Sequence, residues 1–174
     1  MAGGVSRFRR SPRRAPGPRR RAVTIVSGGQ TGVDRAALDV ARVLGLASGG
    51  WCPRGRRAED GPIDACYPLR ESASRDYAVR TRLNVRDSDG TLVLIRGPAR
   101  DGTALTIRLA RRLRRPLLVL NLASARLAGV RAVGRWLRRA GIMVLNVAGP
   151  REGKSPGVYA LAVAFLIRAF TRRF

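Results

Sequence analysis

The sequence predicts an α/β protein with three layers, an open parallel β-sheet that carries helices on both faces. Four short runs of mainly consecutive apolar residues are typical of strands buried on both sides of a parallel sheet. They are Ala22–Val26, Thr91–Ile95, Leu117–Leu120 and Ile142–Val147. Segments with helical periodicity lie between these runs, and this alternation of strands and helices favours right-handed crossover connections.

Five helices are predicted, and most of them have apolar residues three or four positions apart. They cover Val33–Leu44, Ser74–Arg86, Leu105–Leu113, Val130–Ala140 and Val158–Phe170. Gly45 and Gly141 directly follow two of them, as helix stop signals do. The last helix is apolar on nearly every side, which predicts burial either in the core or in a contact between subunits of a homo-oligomer.

The composition divides the chain into two parts. Residues 1–21 are mostly Arg, Pro, Gly and Ser, which predicts a disordered tail. Residues 22–174 carry the strand and helix pattern and are predicted to form a single domain. Within it, the stretch Gly49–Arg70 has little periodicity, and a loop of that length in a compact domain is usually functional or mobile.

The charge favours anionic partners. The chain has 35 Lys+Arg against 11 Asp+Glu and a formal net charge of +24, which attracts phosphorylated ligands, nucleic acid or acidic surfaces. A basic, solvated surface would explain the same charge without any partner. The sequence shows neither an aromatic stacking platform nor a DNA-binding motif, so nucleic acid is an alternative partner rather than the favoured one.

The residue types exclude several kinds of site. The chain has no histidine, so a Ser-His-Asp triad, a Cys-His pair and a histidine-ligated metal centre are impossible. Cys52 and Cys66 are too few for a zinc site or a disulfide-rich secreted fold, and we expect reduced cysteines and a cytoplasmic location. The longest apolar run, Gly157–Ile167, is shorter than the ~20 residues that a membrane span needs, so no membrane partner is expected.

Three glycine-containing loops follow predicted strands and precede predicted helices, where open α/β sheets bind their ligands. The first loop contains Gly28, Gly29, Gln30, Thr31, Gly32 and Arg35. Glycines there let the backbone approach a ligand, and free N–H groups at the start of the next helix favour a phosphate. A plain tight turn is the alternative interpretation.

The other two loops offer further ligand contacts. The second contains Gly102, which allows close approach, and Thr103, the predicted cap of the next helix. The third, Gly149–Gly157, presents Arg151 and Lys154 to ligand oxygens. Two such loops side by side would form one anion-binding floor. The alternatives are a helix cap alone for the second loop and a charged surface loop for the third.

The long loop adds aromatic, thiol and charged groups. Glu59 or Asp60 is able to accept paired hydrogen bonds from an amino-heterocycle, and Trp51 to stack on one. Equally, these carboxylates would neutralise neighbouring arginines such as Arg56. Cys52 is expected to be a plain reduced cysteine, because no histidine is present to activate it.

Together these segments resemble the molybdenum cofactor carrier-like family, a branch of a larger Rossmann-like group of nucleotide-ligand binders. The resemblance spans about residues 23–170. It rests on SGGQTGVDRAALD, GGWCPRGRRAEDGPI, YPLRESASRDYAVRTRLNVRDSDGTLVL, DGTALT and VLNVAGPRE. The larger group also includes lysine-decarboxylase-like phosphoribohydrolases.

The resemblance implies a homo-oligomeric, Rossmann-like carrier of molybdenum cofactor (molybdopterin), a phosphorylated pterin that holds molybdenum through a dithiolene. No covalent chemistry is implied. The matching positions expected to contact the ligand are Gly28, Gly29, Gln30, Thr31, Gly32, Arg35, Arg56, Glu59, Asp60, Gly102, Thr103, Arg151 and Glu152. This chain departs from the family pattern at Asp101, where glycine is common, and at Gly153, where serine is common.

Two other classes of function stand as alternatives. The related hydrolases carry a Pro-Gly-Gly-x-Gly-Thr-x-x-Glu motif, which Gly97–Leu105 matches only in part, with no glutamate after Thr103. An acid there would assist the leaving group in N-glycosidic hydrolysis of a nucleoside phosphate. A basic nucleic-acid-binding accessory protein is supported by the charge alone.

The missing glutamate predicts that the protein does not hydrolyse nucleoside monophosphates. Incubation with AMP should release no adenine above a buffer blank, as measured by chromatography. Clear turnover that is lost in Asp101→Ala would contradict this expectation, because it would identify Asp101 as the acid that the motif lacks.

Overall fold

The computed structural model of the protein describes residues 23–125 and 127–171. Nine strands occur in this part of the chain: β1 (Thr24–Val26), β2 (Ser48–Gly49), β3 (Trp51–Cys52), β4 (Arg57–Ala58), β5 (Gly61–Pro62), β6 (Arg70–Glu71), β7 (Gly90–Ile95), β8 (Leu117–Asn121) and β9 (Val144–Ala148). Its five α-helices are α1 (Val33–Val43), α2 (Tyr77–Arg86), α3 (Asp101–Arg112), α4 (Leu127–Arg139) and α5 (Val158–Thr171). The predicted tail, residues 1–21, lies outside the described residues.

The central sheet has five parallel strands in the order β2-β1-β9-β7-β8. Helices α1 and α4 belong to connections that run toward the β2 edge, and α5 packs against both of them. Helices α2 and α3 belong to connections that run toward the β8 edge, and they pack against each other. A constant hand of crossover places these two groups on opposite faces. The three-layer, Rossmann-like α/β fold that the sequence predicts is therefore confirmed.

Burial of the strands follows their position in the sheet. In the central strands β7 and β9, Leu92, Leu94, Leu145 and Val147 have no exposed surface. Strand β8 is only half-buried along most of its length because it lies at the edge, so the prediction that both of its faces are covered is wrong. Strand β2 has two residues and no apolar run, and sequence periodicity therefore missed it.

Three helices begin at positions that differ from the predicted ones, and one of them is α4, which begins at Leu127 rather than at Val130. Helix α2 begins at Tyr77 because the Asp76 carboxylate accepts a 2.8 Å hydrogen bond from a first-turn amide. Helix α3 begins at Asp101, several residues before the apolar stripe that predicted it. Thr103 therefore lies inside the first turn, where its amide donates to Arg100 at 3.0 Å, and the prediction that Thr103 caps this helix is wrong.

The long loop predicted for Gly49–Arg70 is held by short ladders and by one arginine. Strand β3 pairs with β6, and β4 pairs with β5. The Arg56 guanidinium donates hydrogen bonds of 2.7 to 3.2 Å to four backbone carbonyls, those of Ile63, Asp64, Tyr67 and Leu69. One side chain thus closes the loop on itself.

A small second core lies under this loop. It consists of Leu38, Cys52, Ile63 and Tyr67. The Tyr67 hydroxyl donates to Asp39 at 2.8 Å, and burial together with that carboxylate raises the pKa of Tyr67 to about 12. Burial also raises the pKa of the Cys52 thiol, as befits a reduced cysteine in a core.

Helix α5 is a core helix on one side and exposed on the other. Its buried residues are Val158, Ala162, Phe165, Leu166 and Ala169. On the other side Tyr159 is 37% exposed and Leu161 39% exposed. The subunit contact stays a prediction, and this exposed side is the part of the helix available for it. No helix in the described part of the chain is long and apolar enough to cross a membrane.

The two sides of α5 should respond differently to truncation. Phe165→Ala leaves a cavity in the core and should lower the free energy of unfolding by about 3–5 kcal/mol. Leu161→Ala on the same helix should cost less than about 1 kcal/mol in a monomer. Urea denaturation of both variants checks the difference, and equal losses would contradict the placement of Phe165 in the core.

Candidate functional site

A cavity of about 340 Å³ opens at the carboxyl ends of β1, β9 and β7. From β1 the chain continues to the β2 edge of the sheet, and from β7 it continues to the β8 edge. The strand order therefore reverses here, and such a crevice is where open α/β sheets bind ligands. The three glycine-containing loops surround the cavity, and Tyr77 to Thr81 of α2 cover it. Its volume suits a small molecule.

Positive charge predominates in the lining of the cavity. The cationic side chains that line it are Arg80, Arg96, Arg100, Arg151 and Lys154. The carboxylates that line it are Asp34 and Asp101. Cations that outnumber carboxylates in a concave site favour an anionic ligand.

Arg80 and Asp34 form a buried ion pair at this cavity. Arg80 Nη1 lies 2.9 Å from Asp34 Oδ2, and the side chains are 13% and 4% exposed. The backbone amides of Gln30 and Gly149 lie near this carboxylate and help to lower its pKa. Burial raises the pKa of Asp34, and the charge and hydrogen bond of Arg80 oppose that rise. The pair joins α2 to the first loop, and the third loop lies beside it.

The glycines of the first loop make room for neighbouring protein segments. A Cβ on Gly28 would lie 1.4 Å from Arg80 Nη1, and one on Gly29 would lie 2.5 Å from a methyl group of Leu69. At Gly32, where φ is +74°, a Cβ would lie 2.4 Å from the carbonyl oxygen of Pro150. The tight turn therefore lets Arg80, the long loop and the third loop approach closely.

Gln30 keeps one polar group without a partner. Its side chain is 6% exposed and lines the cavity. Oε1 accepts hydrogen bonds from the amides of Thr31 at 3.0 Å and Glu59 at 2.9 Å. Nε2 is buried and has no hydrogen-bond partner among residues 23–125 and 127–171, and the same holds for Arg80 Nε. Buried donors of this kind are rare and call for an explanation.

Glu59 connects all the loops except the second. The Thr31 hydroxyl and the Gly153 amide, the latter at 2.9 Å, both donate to Glu59 Oε1. Arg151 Nε lies 3.8 Å from Glu59 Oε2. Because Glu59 belongs to the long loop, its carboxylate ties that loop to the first and the third.

Three further predicted site residues also have protein partners. Both terminal nitrogens of Arg35 lie 3.3 Å from the carboxylate of Asp60, and Arg35 Nε donates to Gly29 at 3.1 Å. The Glu152 carboxylate accepts from the amide of Tyr159 at 2.9 Å and from another amide at the start of α5. These groups hold the backbone that surrounds the cavity.

The second loop opens directly onto the cavity. Asp101 adopts a φ of +44°, and α3 begins at this residue. A Cβ on Gly102 would find no atom within 4 Å, so the backbone there is open to a ligand. The positive end of the helix dipole lies at the same place, which favours an anion.

The structure divides the predicted site residues into two groups. Those that line the cavity are Gln30, Gly102, Thr103 and Arg151. Those that form its surrounding framework are Gly28, Gly29, Thr31, Gly32, Arg35, Arg56, Glu59, Asp60 and Glu152. Lining residues that sequence reasoning missed are Tyr77, Arg80, Arg96 and Arg100. Arg96 directly precedes the second predicted loop and Arg100 lies within it, but in so arginine-rich a chain their residue type gives no signal.

Comparison with known proteins points to one family. The model of the circularly permutated YpsA SLOG family matches residues 25–170. A crystal structure from Syntrophus aciditrophicus SB, of a protein named "Putative molybdenum carrier protein", is similar with a TM-score of 0.83 and 41% sequence identity. The match covers 86% of this chain and 95% of that chain. No curated protein matches the chain.

The buried ion pair should matter more to stability than the exposed one. Asp34→Asn keeps the shape of the side chain but leaves Arg80 as an uncompensated buried cation, which should cost about 3–5 kcal/mol. Asp60→Asn breaks the more exposed pair with Arg35 and should cost about 1 kcal/mol or less. Chemical denaturation measures both. A loss in Asp34→Asn no larger than that in Asp60→Asn would contradict the importance of the buried pair.

Proposed function

The chain belongs to the circularly permutated YpsA SLOG family, and on that premise we propose that it binds and carries a phosphorylated heterocyclic anion, with molybdenum cofactor as the leading candidate. The observation that carries the proposal is the cation-lined cavity at the strand-order reversal. A carrier role also agrees with the name of the similar crystal structure. The protein's task in this proposal is to hold the ligand without changing it.

The second and third loops are the proposed phosphate site. Arg96, Arg100, Arg151 and Lys154 line this part of the cavity, and guanidinium groups bind phosphate oxygens in pairs. The open backbone at Gly102 and the start of α3 add amide donors and a favourable dipole. Phosphate affinity in this proposal comes mainly from these loops, while the first loop supplies the shape of the site.

Tyr77 is the proposed platform for the ring of the ligand. It lines the cavity from α2, and the Arg151 guanidinium lies 5.8 Å from the centroid of its ring. An aromatic ring beside a guanidinium is suited to stacking on a planar heterocycle. Molybdopterin carries a pterin ring together with a phosphate, so in this proposal both parts of molybdenum cofactor meet a complementary group. Molybdenum would stay on the cofactor's own dithiolene sulfurs.

The framework residues contribute to binding through the loops that they hold. Glu59 ties three loops together, and Arg56 closes the long loop. Loss of either contact would let the cationic side chains move apart. Binding energy is largest when such groups are already in place, because less conformational entropy is lost on association.

Retention of the cofactor by the purified full chain tests the proposal. The protein is mixed with molybdenum cofactor released from a molybdoenzyme and passed through a desalting column. Molybdenum, measured by mass spectrometry, and pterin, measured by fluorescence after oxidation, should both elute with the protein. If the parent chain retains neither, the proposed function is wrong.

Charge-matched variants test the location of the site. Arg151→Gln should weaken cofactor binding by roughly tenfold or more, the usual scale for a charged hydrogen bond to phosphate. Arg138→Gln removes the same charge from the exposed last turn of α4, which leads to the opposite end of the sheet. It should leave the affinity nearly unchanged. Equal losses in the two variants would indicate non-specific attraction to a basic protein.

A further inference from the structure

We propose that Gln30 and Arg80 select the ring of the ligand, and that they favour heterocycles with an oxo group beside a ring nitrogen over those with an amino group in that place. The inference rests on the proposed function, because it names the class of ring that the same site takes. It starts from the two buried donors of the cavity that have no partner in the described part of the chain.

The orientation of the Gln30 amide is set by its neighbours. Two backbone N–H groups, those of Thr31 and Glu59, both donate to Oε1. A flipped amide would place its NH₂ group against these donors, so the observed orientation is the stable one. The group left for a ligand is therefore the NH₂, which only donates. The carbonyl oxygen is not available to accept a hydrogen bond from a ligand amine.

Arg80 adds a donor and no acceptor. Its Nη1 is held by Asp34, while Nε is buried and lacks a partner among residues 23–125 and 127–171. Asp34 also lines the cavity, but its carboxylate is 4% exposed and is held by Arg80, so little of it is left to accept from a ligand. Gln30 and Arg80 thus present hydrogen-bond donors, in a patch where Asp34 neutralises the Arg80 charge.

Such a patch matches one kind of ring edge. Guanine and hypoxanthine present O6 and N7, two acceptors side by side, and a fully oxidised pterin presents O4 and N5 in the same way. The reduced pterin of molybdenum cofactor keeps O4 as an acceptor, while its N5 carries a hydrogen. Adenine presents an amino group beside N7, so one donor of the protein would face a donor of the ligand. Sites whose buried polar groups are left unpaired by a ligand discriminate strongly against it.

Nucleoside monophosphates provide the probe, because IMP, GMP and AMP share their sugar and phosphate. Calorimetric titration of the full chain should give dissociation constants for IMP and GMP that are at least about tenfold lower than that for AMP. Equal affinity for IMP and AMP would overturn the inference. So would the failure of both IMP and GMP to bind.

Gln30→Glu tests the residue directly. The substitution keeps an oxygen that accepts from the amides of Thr31 and Glu59, and it turns the ligand-facing donor into an acceptor. The added negative charge weakens every nucleotide alike, so the ratio of the IMP and AMP affinities isolates recognition of the ring. That ratio should fall at least about fivefold. An unchanged ratio would show that Gln30 does not select the ring.

Two further variants keep the test decisive. If Gln30→Glu does not fold, as judged by circular dichroism, Arg80→Lys takes its place, because it keeps the charge beside Asp34 and loses Nε. The ratio of the IMP and AMP affinities should again fall. An unchanged ratio overturns the inference. Arg151→Gln should weaken IMP and AMP equally. Retention of molybdenum cofactor without discrimination among nucleotides would defeat this inference alone, whereas loss of cofactor retention by the parent chain would defeat the proposed function.

Discussion

The buried ion pair of Asp34 and Arg80 is the interaction on which the rest of the site depends. A charge with 4% exposure is tolerated only if its surroundings compensate it, and Asp34 has the Arg80 guanidinium and the nearby backbone amides of Gln30 and Gly149. Its partners come from the first loop, from α2 and from the third loop. The requirement to satisfy one carboxylate therefore sets how three separate segments meet. It also explains Gly28, since any side chain there would collide with the guanidinium.

The pairing of Arg80 with Asp34 also divides the cavity into two regions of different chemistry. Arg80 is neutralised by Asp34, so this region offers hydrogen bonds with little net charge. The remaining lining cations lie in the third loop and in or directly before the second, and the only carboxylate among the described residues that lines the cavity beside them is that of Asp101. A ligand with a neutral ring at one end and a phosphate at the other has the complementary distribution. The excess of arginine along the chain therefore indicates which part of the cavity attracts an anion only once the pairing of Arg80 with Asp34 is known.

The fold was predictable to a greater extent than the site. Continuous apolar runs identify β7 and β9, because burial on both faces of the sheet disfavours polar residues. Strand β2 has no such run, and only its pairing with β1 in the structure identifies it as a strand. The contacts of the site connect distant segments: Glu59 and Gly153 are 94 residues apart, and Arg80 and Asp34 are 46 apart. Local spacing carries no information about such pairs. Gln30 was predicted as a site residue, but its free donor follows from contacts that only the structure provides.

Most residues of the recognisable motifs form the framework, and few of them line the cavity. Motif resemblance therefore specifies the architecture of the loops more strongly than the identity of the ligand. The two departures from the family pattern illustrate the difference. Gly153 acts through its backbone amide, which a serine would also supply to Glu59, although a Cβ there would lie 3.0 Å from Glu59 Oε2. Asp101 takes a φ of +44°, a left-handed conformation that explains why glycine is common there and that aspartate tolerates better than most residues. Unlike glycine, Asp101 also adds a carboxylate to the lining of a cationic cavity. Of the two departures, Asp101 is therefore the one able to change which anions the site accepts.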